Sequence, residues 1–338
     1  MSIFSVLDLA PIAEGSDAAT SFRNSLSLAR HTEALGFHRY WLAEHHGMVG
    51  IASAATAVLI GHIAGATSTM RVGAGGIMLP NHSPLIIAEQ FGTLESLYPG
   101  RIDLGLGRAP GSDQVVARAL RRHLDTDPEA FPQDVLELME YFSAESRLPV
   151  TAVPGKGLAP QFWILGSSLF GAQLAAYLGL PYSFASHFAP QMLMQAIQTY
   201  RSNFRPSKHL SQPYVMLGYN VFAADSDDDA HFLASSWQQS FVSLRNGRPI
   251  RLPPPVAGYT DTLAVHERAM LDTVLSCTAI GNAASVSHTM QQFIARTGAD
   301  ELIITSNMHD HQARLRSYEI VAGVRDSLQR SAADTSQT

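Results

Sequence analysis

The chain has a single cysteine, Cys277, among 338 residues. No disulfide can form within it, and no cysteine-built metal site is available. Charge is sparse as well: Asp, Glu, Lys and Arg make up 15% of the sequence, with a net charge of −6. No Lys/Arg run is longer than the pair Arg121-Arg122, which argues against the basic stripe that neutralises nucleic-acid phosphates. The N-terminus lacks the basic region of a secretion signal and runs directly into strand-like sequence. The most apolar stretch, residues 51–66, carries His62 and falls short of the roughly 20 residues that cross a bilayer. No G-x-G-x-x-G, Walker A or H-E-x-x-H segment occurs, so the motif-borne dinucleotide, nucleotide and zinc-hydrolase chemistries have no support. These absences lead to the expectation of a cytoplasmic protein with neither a nucleic-acid partner nor a membrane.

Hydrophobic residues make up 46% of the chain, enough for a large core. Short apolar runs of β type alternate with longer amphipathic ones, as in parallel βα units. Strands are predicted at 5–9, 39–43, 70–77, 102–106, 162–165, 182–185, 214–223 and 301–305. Helices are predicted at 20–35, 54–67, 85–98, 131–145, 169–178, 191–204, 225–244 and 312–328. Gly36 suits the end of the first, and Pro84 and Pro99-Gly100 bracket the third. The aromatic-rich segments 91–98 and 237–241 have helical spacing and read as core packing. Eight such units predict a single α/β domain over 1–338, a (β/α)8 TIM barrel in preference to an open doubly wound sheet. Two connections are long, 109–128 after strand four and 245–277 before strand eight, the latter with Pro253-Pro254-Pro255. Long connections are often functional. The second is a candidate lid, with a solvated loop as the alternative, and 329–338 reads as an unstructured tail.

The groups able to do chemistry all fall at or near predicted strand ends, which a barrel brings to one mouth. Glu44-His45-His46 follows strand two. Adjacent histidines beside a carboxylate suit acid/base work near neutral pH. A metal would need further ligands such as Asp103, His187 or His309, and the expectation is no metal. Gly73-Ala74-Gly75-Gly76 places glycines inside strand three, which marks a bulge, a tight packing point or a flat ligand against the backbone. Gly166-Ser167-Ser168 opens a helix. Its amides and hydroxyls, with Arg108 after strand four, describe a phosphate site, and an N-cap serine is compatible with it. Ser186-His187 follows strand six. His46 and His187 are candidates for the substrate pocket.

The segments Trp41 to His46, Val72 to Pro80, Pro84 to Glu89 and Gly100 to Arg108, in that order, resemble the bacterial luciferase-like monooxygenase superfamily. The likeness runs from Phe4 to about Val324 and is nearest the small bacterial branch of unassigned substrate. It implies a TIM barrel, a homodimer, and reduced FMN supplied by a separate flavin reductase. A sister branch uses the deazaflavin F420 for hydride transfer. By the same resemblance His45 is the active-site histidine, with Glu44 beside it. Gly75-Gly76 is the place of a non-proline cis peptide beneath the flavin ring. Arg108 and Gly166-Ser167-Ser168-Leu169 would hold the flavin phosphate. Gly107 stands where light-emitting members carry a reactive cysteine, which speaks against light emission, and Gly166 stands where luciferases have glutamate. The implied activity is oxygen insertion from O2 into a small organic substrate in a closed apolar pocket, with His45 as acid/base. The alternatives are F420-dependent hydride transfer and non-catalytic flavin binding.

Overall fold

The computed structural model describes residues 3–108, 116, 119–120 and 130–335. Most of the long connection 109–128 lies outside the described residues. Eight parallel strands form a closed ring. They are β1 (Ile3–Asp8), β2 (Arg39–Leu42), β3 (Arg71–Met78), β4 (Ile102–Gly107), β5 (Gln161–Gly166), β6 (Tyr182–Phe184), β7 (Val215–Ala223) and β9 (Glu301–Thr305). Each pairs with the next in sequence, β7 pairs with β9, and β9 pairs back to β1. The eight predicted strands are these eight, shifted by two residues at most. All nine residues of β7 are buried, as expected for a strand covered on both faces.

The helices on the outside are α1 (Ala18–Ala34), α2 (Thr56–Ala64), α3 (Pro84–Leu97), α4 (Phe131–Phe142), α5 (Leu169–Leu178), α6 (Leu193–Asn203), α7 (Asp227–Arg245), α8 (Val265–Leu275), α9 (Ala283–Thr297) and α10 (His311–Thr335). Their ends follow local chemistry. Asp17, Ser226 and Asn282 each accept an N-cap hydrogen bond, and α7 opens on Asp227, Asp228 and Asp229, which suit its positive end. Gly36, at φ +76°, follows α1, and Gly298, at φ +61°, ends α9 in the left-handed conformation that glycine adopts without strain. No described helix is long and apolar enough to cross a membrane.

Two features differ from expectation, and one long connection takes a defined course. Residues 265–297 hold α8, a further strand β8 (Thr278–Gly281) and α9. Asn220 is paired with Thr305 and with Thr278, so β8 lies on the β6 side of β7, beyond the point where β6 stops. It lengthens one wall without entering the ring. Within the connection 245–277, read above as a candidate lid with a solvated loop as the alternative, Leu252 is hydrogen-bonded to the β1–α1 connection. The Leu252 amide donates to the Ile12 carbonyl at 2.9 Å, and the Glu14 amide donates to the Leu252 carbonyl at 2.8 Å. Finally, α10 continues through Thr335, where an unstructured tail was expected from 329.

The N-terminal end of the barrel is closed by buried charge. Arg39 donates to Asp103 at 2.8 Å, to Glu301 at 3.0 Å and to Gln161 at 2.9 Å. Arg71 donates to Asp103 at 2.7 Å, and the Tyr214 hydroxyl donates to Glu301 at 2.8 Å. Two guanidinium groups thus balance two carboxylates. Asp103, weighed above as a metal ligand, is committed here at the end opposite the mouth. His309, also weighed, contacts the Glu14 carbonyl at 3.3 Å.

Candidate active site

At the C-terminal end of the strands lies a cavity of about 940 Å³. His45, His46, Gly75, Gly76, Arg108, Gly166, Ser167, Ser168 and His187 all line it. Two residues singled out with them do not. Ala43, His45 and His46 line the cavity, whereas the Glu44 carboxylate is buried against His46, His82 and the Met78 amide. Leu169 begins α5 and packs against the main core, while Phe170 and Gly171 take the cavity side.

Glu44 is 1% exposed and serves as a hub. Its Oε1 accepts from His46 Nε2 at 2.7 Å and from His82 Nε2 at 2.8 Å, and its Oε2 accepts from the Met78 amide at 2.9 Å. Burial works to raise its pKa, but His82, the Met78 amide and His46 outweigh burial and hold the carboxyl below its usual range. Glu44, His46 and His82 place their ligand-type atoms within 4.8 Å of one another. The separations from Oε1 are hydrogen-bond lengths, shorter than the about 3.3 Å between ligands of a tetrahedral zinc with bonds near 2.05 Å. We therefore read the trio as two histidines donating to one carboxylate. The hub fixes the chain on either side of His45 to the end of β3, so Glu44 positions and does not face the cavity.

His45 and His187 present a contrast to that network. Each has a buried Nδ1 with no partner among the described residues. Burial pushes the His45 imidazole below its usual range and His187 down to about 4, with His45 adding to the effect on His187. Both rings are thus neutral at pH 7. Gly218 in β7 makes room for the second ring. A Cβ there would meet His187 Cε1 at 2.9 Å and Cγ at 3.0 Å, and Nδ1 closer still. Gly218→Ala is expected to lower stability by ~1–3 kcal/mol through overpacking. In a His187→Ala background the same change should cost almost nothing, and urea unfolding of the four-protein cycle measures this coupling. Additive losses would show that the ring does not occupy this position.

The glycine platform is a bulge. Ala74 pairs with Leu104 and Ile77 with Leu106, so Gly75 and Gly76 together oppose Gly105. The peptide bond between them is cis. A Cβ on Gly76 would stand 2.7 Å from the Gly105 carbonyl oxygen, and one on Gly75 3.0 Å from both Leu7 and Trp41. A side chain is excluded at Gly76 and crowded at Gly75, and both glycines line the cavity. Just past the neighbouring strand β4, Arg108 stacks on Phe170, 4.2 Å from the ring centroid. Ser168 occupies the N-cap position of α5, yet its hydroxyl makes no capping bond. Capping therefore leaves this hydroxyl free of a bond to the helix, at a helix start whose amides suit an anion.

Sequence reasoning missed the rest of the lining. Asn220, Thr305 and Asn307 lie at the C-terminal ends of β7 and β9, each with a buried oxygen lacking a partner among the described residues. Trp237 and Phe241, expected as core, are buried in a second core cluster and also form cavity wall. Arg245 at the end of α7 and Pro249, Ile250 and Leu252 from the connection after it also line the cavity.

Comparison with known proteins accords with this architecture. The profile of the family described as luciferase-like monooxygenase matches residues 3–301. A protein of Escherichia coli strain K12 called luciferase-like monooxygenase is 56% identical over 326 residues, 96% of this chain and 97% of its own length. The Bacillus subtilis N-acetyl-S-alkylcysteine monooxygenase is 32% identical over 255 residues, 73% of this chain and 75% of that protein. Among solved structures, apo-MsnO8 superposes with a TM-score of 0.86 at 34% identity, covering 96% of this chain and 99% of that one. The chain belongs to the luciferase-like monooxygenase family.

Proposed function

We propose that this protein is a flavin-dependent monooxygenase that uses reduced FMN and O2 on a small organic substrate. The observation that carries the reading is the convergence on one cavity of a glycine bulge, a helix start beside an arginine, and a histidine whose pKa burial lowers. Arg108, Ser167, Ser168 and the first amides of α5 would hold the phosphate, and the backbone at Gly75-Gly76 would lie against the ring. Bound reduced FMN would supply the activation of O2, with one oxygen atom entering the substrate, the other leaving as water and the flavin oxidised. The chain has no G-x-G-x-x-G segment, which favours a separate flavin reductase as the source of reduced FMN. The apolar walls, among them Leu7, Met78, Leu165 and Phe170, would exclude water and so prevent side reactions. His45 would exchange a proton with the substrate or the reacting oxygen through its cavity-facing side. A thioether is the first substrate to test, since the B. subtilis relative is named for an N-acetyl-S-alkylcysteine.

Titration with FMN and with F420, oxidised and reduced, followed by ring absorbance, tests this reading. Tight binding of FMN supports it, and preference for F420 would replace oxygen insertion with hydride transfer. Ser168→Ala sharpens the test. Loss of a hydrogen bond to a charged phosphate should weaken FMN about 10- to 100-fold. Stability should change by no more than ~0.5 kcal/mol, because no capping bond is lost. The opposite pattern, lower stability with unchanged FMN affinity, would make Ser168 a cap alone.

A further inference from the structure

Arg245, the last residue of α7, is a second cation on the cavity wall. Its guanidinium lies 4.3 Å from the Phe188 ring centroid and 5.1 Å from that of Phe241. One Nη2–H donates to the Phe188 carbonyl at 2.6 Å. No carboxylate pairs with it among the described residues, and burial alone acts on its pKa, downwards. A cation suits the negative end of a helix, but that effect needs no particular side-chain direction. Arg316 shows what an exposed arginine does elsewhere in this protein: it pairs with Asp225 and Glu319, each at 2.8 Å. Arg245 instead folds over two aromatic rings that themselves line the cavity. Its planar fork is thereby held with four of its five N–H donors uncommitted among the described residues.

We propose that Arg245 anchors a carboxylate of the substrate, and that the substrates are therefore small organic acids. The inference rests on the flavin reading above: with Arg108 assigned to the phosphate, Arg245 is the arginine left for the second ligand among the described residues that line the cavity. The apolar part of such an acid would run along Trp237 and Phe241, which pack with centroids 5.3 Å apart. Its other end would reach the floor between His45 and His187. A carboxylate accepts two parallel N–H bonds from one guanidinium, which fixes the long axis of the molecule as well as its presence. Asn220, Thr305 and Asn307 would serve uncharged polar groups of the same substrate.

The test compares N-acetyl-S-methylcysteine and N-acetyl-S-benzylcysteine with their primary amides, by isothermal titration of the full-length protein with and without oxidised FMN. In the wild type at least one acid is expected to bind about 10- to 100-fold more tightly than its amide. Arg245→Met should bring the acid to the level of its amide and leave FMN affinity unchanged, while Arg245→Lys should retain part of the preference. Unchanged FMN affinity also shows that the variant is folded. The proposal is overturned if acids and amides bind alike or not at all in the wild type. It is equally overturned if the preference survives in Arg245→Met, or if Arg108→Met abolishes it while Arg245→Met does not. An acid preference that depends on Arg245 in a protein that fails to bind FMN would sink the flavin reading and leave the anchor standing.

Discussion

Replacing His45 with alanine is expected to lower oxygenated product by ~10²–10⁴-fold, the usual contribution of a positioned acid/base group, while FMN affinity stays within a few-fold of the wild type. The proposed phosphate contacts come from the ends of β4 and β5 and the start of α5, and the proposed ring contact from β3, so none of the FMN contacts proposed above comes from His45. The pH profile supplies a readout that a merely structural role would not move. Burial holds the His45 imidazole below its ordinary 6.5. The neutral form therefore predominates above that value, and the acid limb of kcat/KM should fall at a pH below 6.5 and vanish in the variant. Glu44→Gln makes the complementary case. It removes the charge that receives His46 and His82 and should alter KM and stability more than the position of that limb. Turnover unchanged in His45→Ala would remove this residue from the chemistry altogether.

Histidine titration bears on stability too, and the sign follows from burial. His187 has its pKa lowered to about 4 from 6.5. Between these values the unfolded chain binds a proton that the folded one refuses, so stability falls as pH drops through that window. The contribution is fully lost only below the folded pKa. In His187→Gln the unfolding midpoint should depend less steeply on pH between about 6.5 and 4. An unaltered slope would mean that His187 titrates in the folded state as it does in water.

How much of this was legible in the sequence depends on the range of the interactions involved. The eight ring strands were readable because strands covered on both faces are short apolar runs, and β7 is the extreme case. His45, Arg108, Ser167 and His187 were readable because a parallel barrel sends every strand end to one mouth, so position along the chain translates into position in space. Asn220 and Thr305 sit at strand ends by the same rule, but an uncharged amide or hydroxyl carries no chemical signature at that level. Thr278–Gly281 was missed because four residues have too little pattern to announce a strand, and its partner is only the overhang of β7. Arg245 and the Trp237–Phe241 pair were beyond reach for a different reason. They lie far along a helix of 19 residues, and only the tertiary path of α7 back across the mouth brings them to the cavity. Glu44 shows the limit in the other direction: sequence put it beside His45, and its hydrogen bonds with His46, His82 and the Met78 amide hold it off the cavity wall.

The largest loss of stability, ~3–5 kcal/mol, is expected from Arg39→Met, at the end of the barrel remote from the mouth. Arg39 is 4% exposed and lies 4.8 Å from the centroid of the Trp163 ring. It gives Glu301 its only cation among the described ion pairs, whereas Asp103 keeps Arg71. Methionine fills much of the same volume, so the damage is electrostatic: a buried carboxylate left with the hydroxyls of Ser5 and Tyr214. The asymmetry between the two carboxylates makes the argument testable. Arg39→Met with Glu301→Gln should recover at least about half of the loss, because an apolar or neutral replacement of a whole buried pair is often nearly neutral. Arg39→Met with Asp103→Asn should recover little, since it strips Arg71 of its partner in turn. Urea midpoints of the single and double variants decide the matter, and equal recovery in the two doubles would refute the assignment of the loss to Glu301. FMN affinity measured below the unfolding transition should be unaffected in all of them. In a barrel of this kind the N-terminal end bears on stability and the C-terminal end on chemistry, and these variants touch only the first.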